Sequence, residues 1–76
     1  MQEHKITKGL YRHFKGGVYR VQMIAEHTET GERFVVYCKM GETKWYARPL
    51  SMFASEVDRE KYPNVMQKYR FERVEA

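Results

Sequence analysis

Cysteine is almost missing from this chain. Cys38 is the only one in 76 residues, so no intrachain disulfide can staple the fold and no cysteine-rich zinc site can form. A lone thiol suits a reducing, cytoplasmic setting. No run approaches the roughly 18 apolar residues of a membrane span, and the opening MQEHKITKG carries no apolar signal-like stretch. A soluble protein with no membrane partner is expected. His4, His13 and His27 lack the i, i+2 or i, i+4 spacing of metal ligands, and no carboxylate cluster completes a shell, so neither metal nor cofactor is expected. There is no serine triad and no paired carboxylates, and Gly16-Gly17 lacks the helix a phosphate loop needs. No catalytic residue can be named, which argues against an enzyme.

What remains is one small domain. Seventy-six residues fill a single core, and a domain of this size nets only about 3–5 kcal/mol from it. Hydrophobic residues make up 42% and aromatic ones 14%, with a net charge of +4. That charge is local. Residues 1–25 hold Lys5, Lys8, Arg12, Lys15 and Arg20 against Glu3 alone, whereas nine basic and nine acidic residues cancel from Glu26 onward. Residues 1–8 read as a polar tail and 9–76 as the domain.

Glycine and polar turns divide the domain into strands. Gly16-Gly17 between two β-rich runs signals a hairpin, because both glycines can take the positive φ of a two-residue turn. That turn pairs Lys15 with Val18, Phe14 with Tyr19, Arg12 with Val21 and Leu10 with Met23. Glu29-Thr30-Gly31-Glu32 makes the next turn and pairs Met23 with Cys38. Gly41-Glu42-Thr43-Lys44 then leads to a short strand, Trp45 to Arg48, that Pro49 must end or leave at an edge. One inner face results: Leu10, Phe14, Tyr19, Val21, Met23, Ala25, Phe34, Val36, Cys38, Met40, Trp45 and Ala47. Trp45 reads as a core plug, Cys38 as a small buried hydrophobe, and Met23, Met40, Met52 and Met66 as gap fillers. After Pro49, Leu50, Met52, Phe53 and Val57 predict a helical turn or two capped by Ser51, and Lys68–Val74 a last strand. The fold class is mainly β: a small five-stranded, strongly bent SH3-like barrel with a short helical turn before the last strand.

The segments Tyr11-Arg12-His13-Phe14-Lys15-Gly16, Ala25-Glu26-His27-Thr28-Glu29, Val35-Val36-Tyr37 and Arg48-Pro49-Leu50-Ser51-Met52-Phe53 together resemble the bacterial domain of unknown function family 1653. The resemblance runs from Gly9 to about Phe71. It implies no activity, and no catalytic residue is carried over from it.

The register leaves Tyr11, His13, Lys15, Arg20, Tyr37, Tyr46 and Arg48 on the opposite face. Tyr37 is expected beside Arg48, and His13 beside Arg20. Rings next to cations on an open sheet are the composition that stacks bases and grips phosphates; cross-strand pairing on a solvated face is the plainer use. These seven residues are the candidate ligand-binding set of a small binding module, with nucleic acid or another anionic ligand as its partner. The alternative is a protein–protein interaction module that takes an extended peptide along an open edge. A nucleotide-like small molecule, or a role as an enzyme accessory subunit, comes third.

Overall fold

The computed structural model describes residues 4–74. The strands are β1 (Gly9–His13), β2 (Val18–Glu26), β3 (Arg33–Lys39), β4 (Trp45–Pro49) and β5 (Phe71–Arg73), with one helical turn, α1 (Leu50–Phe53), before β5. They form one antiparallel sheet in the order β4-β3-β2-β1-β5. The expected mainly β chain, five strands and preceding helical turn are all present. The sheet is open, with β4 and β5 as its edges. It is nonetheless curled, for Arg48 on β4 holds its guanidinium carbon 5.9 Å from the centre of the Phe71 ring on β5.

The face that lines the curl is not the expected one. Tyr11, Val21, Val35, Tyr37, Phe53 and Phe71 are buried and pack as one cluster with Ile6. Tyr11, Val35 and Tyr37 thus point into the core, not away from it. Leu10, Met23, Phe34, Val36, Cys38 and Trp45 occupy the outer face instead. Trp45 is 52% exposed, Met23 49% and Met40 44%, and Met52 and Met66 are exposed too, so none of them fills the core.

Two local irregularities account for the reversal. The first turn is wider than two residues: Gly16 donates to the His13 carbonyl and His13 to that of Gly17, and Arg12 faces Val18 while Tyr11 faces Tyr19. Relative to a two-residue turn the pairing slips by an odd number of residues, which exchanges the faces of β1 against β2. The cause is tertiary. Phe14 N–H donates to the Arg70 carbonyl at 2.9 Å, so the turn is held open by the segment leading into β5. The second irregularity is a bulge at Gln22, where Val21 pairs with Tyr37 but Met23 with Val36. The extra residue puts Val21 inside and Met23 outside.

Apolar cover comes from both ends of the chain. At α1 Pro49 is the N-cap and no side chain caps the turn, so Ser51 does not have the expected role. Pro49 suits that position because its fixed φ and missing N–H cost nothing at a helix start. The turn delivers Phe53, fully buried, which stacks on Phe71 with ring centres 4.0 Å apart and meets Tyr11 edge-on at 5.7 Å. Residues 4–8, read from sequence as a tail, contribute Ile6 to the core, and the His4 ring stacks on Tyr69 at 3.9 Å. Gly9 is required at the start of β1: its φ is +142°, and a Cβ there would meet the Arg73 guanidinium at 2.7 Å. That guanidinium ties the segment down by donating to the Thr7 hydroxyl, the Tyr11 hydroxyl and the Lys8 carbonyl. Among the described residues no helix is long and apolar enough to cross a membrane.

Candidate anion-binding site

At the end of the inner face nearest the first turn, His13 lies between rings. Its imidazole is 4.6 Å from Phe14, 4.8 Å from Phe71 and 6.2 Å from Tyr19. Strand pairing explains this, for His13 faces Phe71 across β1 and β5. The His13 Nδ1 accepts the backbone N–H of Lys15 at 3.1 Å, which leaves the proton of a neutral imidazole on Nε2 as a donor. Partial burial first, and then the charges of Arg48, Lys15 and Arg70, hold His13 below its ordinary pKa. All three of those charges are positive. Three positive charges thus act on one half-buried neutral donor.

The cations arrive from distant parts of the chain. Arg48 comes from the edge strand β4; its Nε donates to the Tyr37 hydroxyl at 3.3 Å and its plane lies toward Phe71. Lys15 sits in the first turn, its ammonium 4.9 Å from the Tyr62 ring centre. A hydrogen bond from that ammonium lowers the pKa of the exposed Tyr62 hydroxyl. Arg70 is fixed through its backbone, which accepts from Phe14 and donates to Ser55. A cleft of about 200 Å³ opens between His13, Phe14, Lys15, Lys61, Tyr62, Arg70 and a single acid, Asp58. Asp58 is engaged in its own turn, accepting from the N–H groups of Glu60 and Lys61. Drug-sized ligands occupy about 300–1,000 Å³, so this cleft suits one anionic group of a larger ligand. A wider hollow of about 1080 Å³ lies beside α1 and the β2–β3 turn. Its rim mixes Lys5 and Arg33 with Glu26 and Glu32, and so favours neither sign of charge.

A family model described as "Protein of unknown function (DUF1653)" matches residues 9–73. The chain belongs to this family. A crystal structure of a DUF1653 protein from Bordetella bronchiseptica is similar to it, with a TM-score of 0.73 at 27% identity over 96% of this chain and 92% of that one. No curated protein matches the chain.

Within this DUF1653 domain the seven residues singled out from sequence separate. His13 and Lys15 line the cleft, while Arg48 acts on His13 by its charge without lining it. Tyr37 is buried and acts behind Arg48, as the acceptor of its Nε–H. Tyr46 pairs with Tyr37, ring centres 5.7 Å apart, and stands half-buried beside the Lys44 ammonium at 5.4 Å. Tyr11 is buried at 1% exposure, and its hydroxyl is spent on both the N–H and the carbonyl of Thr7. Arg20 pairs with Leu10 and Cys38 on the outer face, away from His13. Sequence reasoning missed Arg70, Phe71 and Tyr62. Their approach depends on the Phe14–Arg70 hydrogen bond, which spans more than fifty residues and has no local signal. His27 caps its turn, accepting from the N–H groups of Glu29 and Thr30 through Nδ1.

Proposed function

We propose that this DUF1653 domain is a binding module for a phosphate-bearing ligand, with single-stranded nucleic acid as its first candidate. The observation that carries the reading is the cleft that Lys15, Lys61 and Arg70 share with the ring-packed His13, with Asp58 as its one acid. A phosphate at the cleft would receive the His13 Nε2–H and charge-assisted bonds from the cations. Tyr62, Tyr19 and Tyr46 would offer ring faces for attached bases, each stacked base contributing roughly 1–3 kcal/mol. We read the curled sheet as an SH3-like barrel left open between β4 and β5, and the single thiol as suited to a cytoplasmic setting. A second reading, an extended peptide added to the free edge of β4, rests on that opening.

The test is anisotropy of a labelled single-stranded RNA as salt is raised. Counterion release predicts a negative slope of log affinity against log salt, about 0.7 per neutralised phosphate, and loss of most of the affinity in Lys15→Ala/Arg70→Ala. Salt-insensitive binding, or binding indifferent to that double substitution, excludes the reading.

A further inference from the structure

The anion cleft carries more positive charge than a phosphate within a nucleic-acid strand can use. Lys15, Lys61 and Arg70 line it against the single carboxylate of Asp58, so three cations less one anion leave an excess of two positive charges. A phosphodiester inside a strand carries one negative charge. A phosphate monoester at the end of a strand carries about 1.5–2 at pH 7 and offers three strong acceptor oxygens. We infer that the cleft takes the terminal phosphate monoester of a single strand in preference to a phosphate within it, an inference that rests on the phosphate-binding reading above.

The donors lining the cleft match the larger number of oxygens. His13 accepts the Lys15 N–H through Nδ1, so its Nε2 is the nitrogen that donates to a ligand. The Lys15 ammonium has three protons and gives one to the Tyr62 hydroxyl, which leaves two. Arg70 adds a guanidinium, whose planar fork can hold two oxygens of one phosphate at once. Asp58 is the one group there that repels an anion, and its Oδ1 is already engaged by the N–H groups of Glu60 and Lys61. A diester turns only two charged oxygens toward such a set and commits its other two to the chain. A monoester turns three.

Shape favours a chain end as well. Phe14 bridges the walls of the cleft, its N–H bonded to the Arg70 carbonyl at 2.9 Å and its ring edge-on to the Tyr62 ring at 5.0 Å. A strand that presents an internal phosphate must leave the cleft on two sides, whereas a terminal phosphate needs one, and the Phe14 bridge closes the side between Arg70 and Tyr62. At about 200 Å³ the cleft also falls short of the roughly 300 Å³ at which sites for drug-sized ligands begin. It therefore holds the phosphate and leaves the attached nucleoside outside.

The experiment measures binding of the full chain to one internally labelled single-stranded RNA sequence, made with a 5′-phosphate, with a 3′-phosphate and with hydroxyls at both ends. Expected is at least one phosphorylated strand bound about tenfold or more tighter than the hydroxyl-ended one, a preference that Lys61→Ala, at an exposed position, reduces to about threefold or less. The two phosphorylated strands show which end is taken. Equal affinity for all three strands overturns the inference, and if that common affinity falls with salt and in Lys15→Ala/Arg70→Ala, the broader reading stands without it. A preference that Lys61→Ala leaves unchanged overturns the inference too, because the phosphate then sits elsewhere. Binding of none of the strands overturns both.

Discussion

His13 shows how one residue records its surroundings. Burial and three neighbouring cations keep it below its ordinary pKa of 6.5, so the folded protein takes up this proton at lower pH than the unfolded chain does. Above the unfolded value both states are neutral and His13 contributes no pH dependence. As pH falls through about 6.5 the unfolded chain protonates first, and stability declines until the folded imidazole also titrates. Urea midpoints measured from pH 7.5 down to pH 5 should therefore fall, and His13→Gln should remove part of that decline. A slope unaffected by the substitution would mean that neither burial nor the cations hold His13 below its ordinary value. The same residue shows what sequence could reveal of the site. His13, Lys15 and Arg48 stand out by type, as polar or charged groups among β-formers. Tyr37 stands out for the same reason, yet its ring belongs to the core and only its hydroxyl serves the site, by orienting Arg48.

At the scale of elements, strand positions were readable because glycine turns and β-branched runs are local signals. Facing was not. Both faces of β3 are apolar, Phe34, Val36 and Cys38 on one side and Val35 and Tyr37 on the other, so alternation alone has no preference between them. The choice is made by what arrives to cover the sheet: Phe53 from α1, Phe71 from β5 and Ile6 from the N-terminal segment. The bulge at Gln22 and the wide first turn then bring Val21 and Tyr11 to that covered side. Phe53 is the side chain on which this cover depends. Its truncation to alanine removes the stack on Phe71 and the edge contact with Tyr11, a loss of about 3–5 kcal/mol. A domain with about that much total stability should unfold, and Phe53→Ala should show no cooperative thermal transition by circular dichroism. Met52→Ala, one residue away and exposed, should leave the transition nearly in place.

The molecule as a whole sorts its charge by facing, not by position along the chain. The positive excess of the first 25 residues pointed to an anion beside His13, Lys15 and Arg20, but Arg20 emerges on the outer face. The charges that act on His13 besides Lys15 are instead those of Arg48 and Arg70, from the two thirds of the chain that are neutral overall. The proposed anion site therefore lies at one end of the inner face. The most direct measurement for that site is a nuclear magnetic resonance titration of the His13 ring with and without inorganic phosphate, at constant ionic strength set by chloride. A phosphate seated beside His13, between Lys15 and Arg70, favours the imidazolium, so His13 should titrate below 6.5 in the free protein and move upward as phosphate is added. A His13 titration that phosphate leaves where chloride left it would contradict the site.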